Sequence, residues 1–106
     1  MIGEFEEIVL LAVGVLHGNA YGVTIKDEIG QRTGRKVSVG ALQVTLRRLE
    51  KKKYLTSRHG ATDVSRGGRP KLFFTLTPHG KNALQQTLEV RIGFWKSLPE
   101  AILNLE

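Results

Sequence analysis

The segment Ser38-Val39-Gly40-Ala41-Leu42-Gln43-Val44-Thr45-Leu46-Arg47-Arg48-Leu49-Glu50-Lys51 carries the pattern from which the fold follows. Ser38 is a strong N-cap residue, and the helix it predicts runs to about Lys52. Val39, Leu42, Leu46 and Leu49 recur at spacings of three and four, which predicts a narrow apolar stripe facing a core. At about 100° per residue the opposite side carries Gly40, Ala41, Val44, Arg47, Arg48 and Lys51. That face opens on residues too small to hold off a neighbouring surface and ends on three cations. A helix entering a DNA major groove needs this order: close approach at its N-terminal turns, and long cationic side chains that reach phosphates or guanines. The plain alternative is a solvated helix with Lys and Arg for solubility, which leaves the small residues without a role.

Charge is concentrated around this helix. The 106 residues include 16 Lys or Arg and 10 Asp or Glu, for a net charge of +6. From Arg32 to Lys71 there are 12 basic side chains against only Glu50 and Asp63, whereas the remainder of the chain, taken together, is net acidic with 4 basic against 8 acidic residues. A sign reversal of this kind predicts a surface for a polyanion between segments with another task, although a solubilising face would carry the same total.

Downstream, Tyr54-Leu55-Thr56-Ser57-Arg58 and Lys71-Leu72-Phe73-Phe74-Thr75-Leu76 are rich in aromatic, aliphatic and Thr residues and should pair as a hairpin. The connection from His59 to Pro70 holds Gly60, Arg66, Gly67, Gly68 and Arg69. It is too long for a tight turn and suits a basic wing lying along a phosphate backbone or in a minor groove. Thr77-Pro78 reads as an N-cap with Pro at the first position of a last helix. Ala83, Leu84, Leu88, Ile92, Trp95 and Leu98 recur on that helix until Pro99, and an apolar tail follows at Ala101, Ile102, Leu103 and Leu105. Upstream, residues 4–16 predict a first helix, apolar on nearly every side from Ile8 onward and therefore covered on more than one face. The turn formers from Gly18 to Gly22 end it, and a second helix from Val23 to about Thr33 places Val23, Ile25 and Ile29 as apolar positions before Gly34 stops it.

A chain of this length holds one domain with a thin core. So long a stripe on the last helix has little domain left to cover, so the first and last helices are expected to pack against their copies in a second subunit. The Ile8–Leu16 run is far short of the roughly 20 residues a membrane span needs, and Glu4, Glu6 and Glu7 precede it where a signal peptide would carry basic residues. No membrane partner is expected, and the location expected is cytoplasmic. The absence of Cys excludes a disulfide scaffold, thiolate metal sites and Cys nucleophiles. His17, His59 and His79 lie far apart without a second ligand at metal spacing, and no catalytic triad, carboxylate pair or phosphate-binding glycine loop stands out. No metal, cofactor or enzymatic activity is expected. Trp95 is the single Trp, and packing in an interface is its default role; a stacking platform for a flat ligand is the alternative.

Five motifs in order resemble the PadR family of bacterial transcriptional regulators across nearly the whole chain. They are Gly3-Glu4-Phe5-Glu6 with its apolar run, Ala20-Tyr21-Gly22, Ser38-Val39-Gly40-Ala41-Leu42 with Leu46-Arg47-Arg48-Leu49-Glu50, Arg66-Gly67-Gly68-Arg69, and Leu76-Thr77-Pro78-His79-Gly80. The likeness is to the short members of the family. It implies a mainly α fold with a small β-hairpin: a winged helix-turn-helix with an additional C-terminal dimerisation helix. Residues 1–17 and 78–105 would dimerise, and residues 21–76 would form the DNA-binding core and wing, all within one domain over residues 1–106.

By position, the resemblance puts Ser38, Gly40, Ala41, Gln43, Val44, Arg47 and Arg48 on or beside the recognition face, Tyr21 near the phosphate backbone, and Arg66, Arg69 and Lys71 on the wing. Lys51 joins them from the helical pattern. Phe5, Ile8, Leu84, Leu88, Ile92 and Trp95 are the expected dimer contacts. The function implied is a homodimeric repressor on a pseudo-palindromic operator, released by a small aromatic effector. The sequence departs from the family where Gln43 replaces a frequent Tyr, Phe73-Phe74 replace a Tyr pair, and Thr75 replaces a basic residue. Trp95 stands about one helical turn from the ligand-stacking Trp of relatives that have an effector pocket. The rival function is an architectural or protein-interaction module that uses the same basic face on DNA or an acidic partner without sequence specificity.

Overall fold

In the computed structural model, which describes residues 2–62 and 70–106, the order is α1 (Glu4–Val15), α2 (Gly22–Thr33), α3 (Val39–Lys51), β1 (Leu55–Thr62), β2 (Pro70–Leu76), α4 (Pro78–Lys96) and α5 (Glu100–Leu103). Each helix start has a local chemical cause. The Gly3 amide donates to Glu6 Oε1 at 3.0 Å, and Glu4, Glu6 and Glu7 complement the helix dipole of α1. The Tyr21 amide donates to Thr24 Oγ1 at 3.0 Å to open α2, and Ser38 Oγ accepts from the Ala41 amide at 3.1 Å to open α3. Gly34 ends α2 with φ 73°, the left-handed region that glycine enters without penalty.

The end of α3 is tied to the start of α4. The amides of Lys53 and Tyr54 bond the carbonyls of Glu50 and Leu49, both at 3.0 Å, a Schellman turn with Lys53 at φ 69°. Thr77 Oγ1 accepts from the Gly80 amide at 3.0 Å, and its hydrogen is shared between the carbonyls of Lys53 and Tyr54. Gly80 is buried against that same turn, and a Cβ there would run into the Tyr54 carbonyl and Leu76. The Thr77-Pro78-His79-Gly80 motif thus caps one helix and clamps it to the end of another.

The core joins Val9, Leu10, Ala12 and Val13 of α1 to Ile25 and Ile29 of α2, Leu42, Leu46 and Leu49 of α3, Leu55 of β1 and Phe74 of β2. Most of α1 is the central strut that its sequence predicts, although Leu11 and Val15 remain exposed. Two expected core residues are not in the core. Val39 is 60% exposed, and the buried stripe of α3 runs instead through Leu42, Thr45, Leu46 and Leu49. Val39 is the first residue of the helix and overhangs the domain. Val23, in the first turn of α2, is exposed for the same reason.

The strands form one antiparallel pair with Leu55 opposite Leu76, Arg58 opposite Phe73 and His59 opposite Leu72. β1 runs on to Thr62, opposite Pro70 beyond a register shift, so Gly60 belongs to a strand and not to the expected loop. The far edge of β2 is held by the Phe74 amide, which donates to the Ala20 carbonyl at 2.7 Å. α4 stops at Lys96, two residues before the expected end, because the amides of Ser97 and Leu98 turn to carbonyls three residues back. Its first half packs on the domain through Ala83, Leu84 and Thr87; from Leu88 to Lys96 every residue is exposed, although Arg91 still reaches Glu7 of α1. The molecule is correspondingly long, at 59 Å by 29 Å by 21 Å.

Ion pairs bind the N-terminal helix to its neighbours. Lys52 Nζ bonds Glu6 Oε2 at 3.0 Å, Arg35 bonds Glu4 at 2.6 Å, and Arg91 bonds Glu7 at 3.0 Å. For the Glu6 carboxyl, burial acts upward. The Gly3 amide, the bonded ammonium of Lys52 and the charge of Arg48 outweigh it, and its pKa lies below the ordinary 4.5. A carboxylate lowered on folding binds fewer protons in the folded than in the unfolded chain. It therefore stabilises the fold above pH 4.5, and that contribution is lost as pH falls through the lower, folded value. Glu6→Gln is expected to cost about 1 kcal/mol at neutral pH, the worth of a partly exposed charged hydrogen bond. The gap should close below pH 4.5 in urea midpoints measured across pH; a gap that stays constant would assign the cost to packing.

Candidate nucleic-acid interface

With Leu42, Thr45, Leu46 and Leu49 buried, the outward face of α3 is centred on Gly40, Val44, Arg47 and Lys51, all exposed. A Cβ added to Gly40 would meet nothing within 4 Å, so the first turn of this face is open to close approach. The two flanks differ. Ala41, Arg48 and Lys52 turn toward α1, where Lys52 is held by Glu6 and the charge of Arg48 also acts on that carboxylate. On the other flank Gln43 is half-buried, its amide nitrogen 3.5 Å from where a Cβ would stand on Gly22, and Glu50 accepts from the Ser57 hydroxyl of β1. Among the described residues Arg47 and Lys51 pair with no carboxylate. Arg32, Arg35 and Lys52 do, so part of the central basic charge serves the fold and not the surface.

Beside this face lies a groove of about 420 Å³, lined by Tyr21, Val23 and Lys26 at the start of α2, Val39, Leu42 and Gln43 of α3, and Pro70, Leu72 and Phe74 of β2. Val23 and Val39 are part of its walls and present apolar surface next to the Gln43 amide. Such a wall suits a deoxyribose or a thymine methyl group. Ser38 is exposed, with its hydroxyl oxygen committed to capping α3.

At the hairpin, Tyr21 meets the Phe73 ring edge to face at 5.4 Å, and Lys71 Nζ sits 4.6 Å above the Tyr21 ring. The structure thus brings Tyr21 and Lys71 together and places Tyr21 on the groove with Gln43. Arg66 and Arg69, expected on the wing, lie outside the described residues. The sequence did not single out Arg58, which is exposed on β1 with its guanidinium 4.9 Å above the Phe73 ring. Only the cross-strand register, with Arg58 opposite Phe73, reveals that contact.

The expected dimer contacts divide into two groups. Phe5, Ile8 and Leu84 are half-buried against the chain's own core, whereas Leu88, Ile92 and Trp95 project from the free half of α4. Among the described residues no group of His, Cys, Asp or Glu could hold a metal ion, and no helix is long and apolar enough to cross a membrane.

The profile of the transcriptional regulator PadR-like family matches residues 10–86. No functionally curated protein matches the chain. Among solved structures, a PadR family transcription regulator from Clostridium difficile is 28% identical over 92% of this chain and 98% of that one, with a TM-score of 0.66. A PadR-like regulator from Bacillus cereus shares the fold at 19% identity over 96% of this chain and 93% of that one, with a TM-score of 0.71. Bacillus subtilis PadR, solved in complex with operator DNA, shares it at 19% identity over 80% of this chain and 46% of that one, with a TM-score of 0.66. Three packed helices, a two-stranded wing and a long fourth helix make this a winged helix-turn-helix, and the chain belongs to the transcriptional regulator PadR-like family.

Proposed function

We propose that the protein is a homodimeric, sequence-specific DNA-binding repressor that acts in the cytoplasm by binding and not by catalysis. The carrying observation is the outward face of α3: an open first turn at Gly40, then Val44, then Arg47 and Lys51 with no carboxylate beside them among the described residues. Small residues admit the helix to a major groove and the cations hold it there. Tyr21, Lys71 and the wing residues Arg66 and Arg69 would contact the flanking backbone, with Ser38, Ala41, Gln43 and Arg48 bordering the reading face. That Bacillus subtilis PadR was solved in complex with operator DNA supports DNA as the partner. Two recognition helices related by a dimer axis would read half-sites about one helical turn, ~34 Å, apart. Release would follow when a flat aromatic effector stacks on Trp95, whose side chain is 65% exposed.

The test is selection from a library of genomic duplexes, followed by anisotropy titration at two salt concentrations with non-specific DNA as competitor. A pseudo-palindromic subset bound about a thousandfold above background is the expected result. If every duplex binds alike and releases together as salt rises, the basic face is an electrostatic footprint and the protein an architectural module.

A further inference from the structure

Arg58 is not among the DNA contacts proposed above, yet its side chain is held against Phe73. Arg58 stands opposite Phe73 in the hairpin, and Lys71 lies two residues before Phe73, so all three share one face of the pair. The other face carries Phe74 and Leu72 into the core. On the outer face the guanidinium lies 4.9 Å above the Phe73 ring, and Tyr21 braces the ring edge to face at 5.4 Å. Gly60, two residues after Arg58, makes room for that ring: a Cβ there would collide with Phe73. The strand is tied to the start of α2 beside this ring, because the Phe74 amide bonds the Ala20 carbonyl next to Tyr21. Tyr21 also lines the groove along α3 with Val39 and Gln43. The Arg58–Phe73 pair is therefore linked through Tyr21 to the groove beside α3.

We propose that Arg58 is a further DNA-binding residue that grips a backbone phosphate beside the segment read by α3, and that Phe73 is its positioning residue. The assignment rests on the DNA-binding function proposed above. A guanidinium held over a ring face is attracted to it without spending its N–H donors, which stay available for two phosphate oxygens. Among the described residues no carboxylate competes for those donors. Stacking also orders the side chain before binding, so less rotamer freedom is lost when the phosphate arrives. An Arg that served only solubility would need neither the ring beneath it nor the glycine that admits the ring. The contact carries no sequence information; it adds affinity to any duplex and fixes the angle at which the wing meets the backbone.

The experiment compares wild type, Arg58→Ala, Phe73→Leu and Phe73→Tyr on the selected operator and on a labelled mixed-sequence duplex over a range of salt. Arg58→Ala should lower affinity for both by the same factor, roughly five- to tenfold near 0.1 M salt, and reduce the slope of log affinity on log salt by about one. Phe73→Leu keeps every charge and should shift both quantities the same way by less, whereas Phe73→Tyr keeps the ring and should restore them. An unaltered slope in Arg58→Ala, with Arg47→Ala still weakening the operator, overturns the assignment and leaves the role of α3 standing. A Phe73→Leu protein that loses thermal stability but keeps the wild-type slope overturns the positioning role. If the wild type binds no duplex at all, the DNA-binding function falls and Arg58 falls with it.

Discussion

Arg47→Ala is expected to lower operator affinity by about 5- to 150-fold, the roughly 1–3 kcal/mol that a bidentate Arg–guanine contact is worth, with the thermal midpoint unaltered. The fold should not register the change, since Arg47 is exposed and makes no ion pair among the described residues. DNA should, because Arg47 follows Gly40 and Val44 along the centre of the outward face. The neighbouring Arg48→Ala provides the contrast. Arg48 lies on the flank turned toward α1, where its charge already acts on Glu6, and its loss should weaken binding less. Anisotropy titrations on the operator and on single-base variants separate two modes of contact. If Arg47 reads guanine, its loss relaxes discrimination at one base pair; if it holds a phosphate, all sequences weaken together and the salt slope falls by about one. Unaltered affinity in both variants would remove α3 from the groove.

Arg47 and Arg48 are adjacent in sequence but differ in what surrounds them. Periodicity alone assigns both to one face, because a stripe of three and four spacings fixes the core side of a helix but not what flanks it. The flanks are decided by partners far away in sequence. Glu6 reaches Lys52, Glu4 reaches Arg35 and Glu7 reaches Arg91, and no local pattern encodes those pairings. A count of basic residues consequently overstates the charge free to meet a polyanion. The exposure of Val23 and Val39 escapes residue pattern for a related reason. Each stands in the first turn of its helix, and an apolar residue at the surface costs too little for residue type alone to reveal it. Arg58 was invisible as a site residue because its meaning depends on register: only pairing with Phe73 turns a strand cation into an oriented one. The caps were legible, since Ser38, Thr77-Pro78 and Gly34 act on backbone groups within a few residues of themselves.

Leu88→Glu with Ile92→Glu is expected to turn the proposed dimer into a monomer and to reduce operator binding to the non-specific level. Leu88, Ile92 and Trp95 are spaced four and three apart on the second half of α4, and they form one exposed apolar stripe. Leu11 and Val15 of α1 are exposed as well, and an apolar groove of about 320 Å³ runs between the two helices past Glu7, Leu11, Leu84 and Leu88. Each large apolar side chain buried there would contribute about 1.5–3 kcal/mol. A carboxylate in the same place must either be desolvated without a partner or keep the surfaces apart. Two of them should raise the dimer dissociation constant by at least about a thousandfold, measured by sedimentation across a range of concentrations. Stability of the isolated domain should hardly change, because both positions are already exposed within the chain. Trp95 reports the event directly: its emission should shift to the red as dimer gives way to monomer, and stacking of a flat aromatic compound should quench it only in the assembled protein. Loss of assembly should cost far more in operator binding than any single Arg, since one recognition helix then binds without the other. A protein that stays dimeric with both glutamates in place would move the interface off this stripe, to the free face of α1 or the apolar turn of α5.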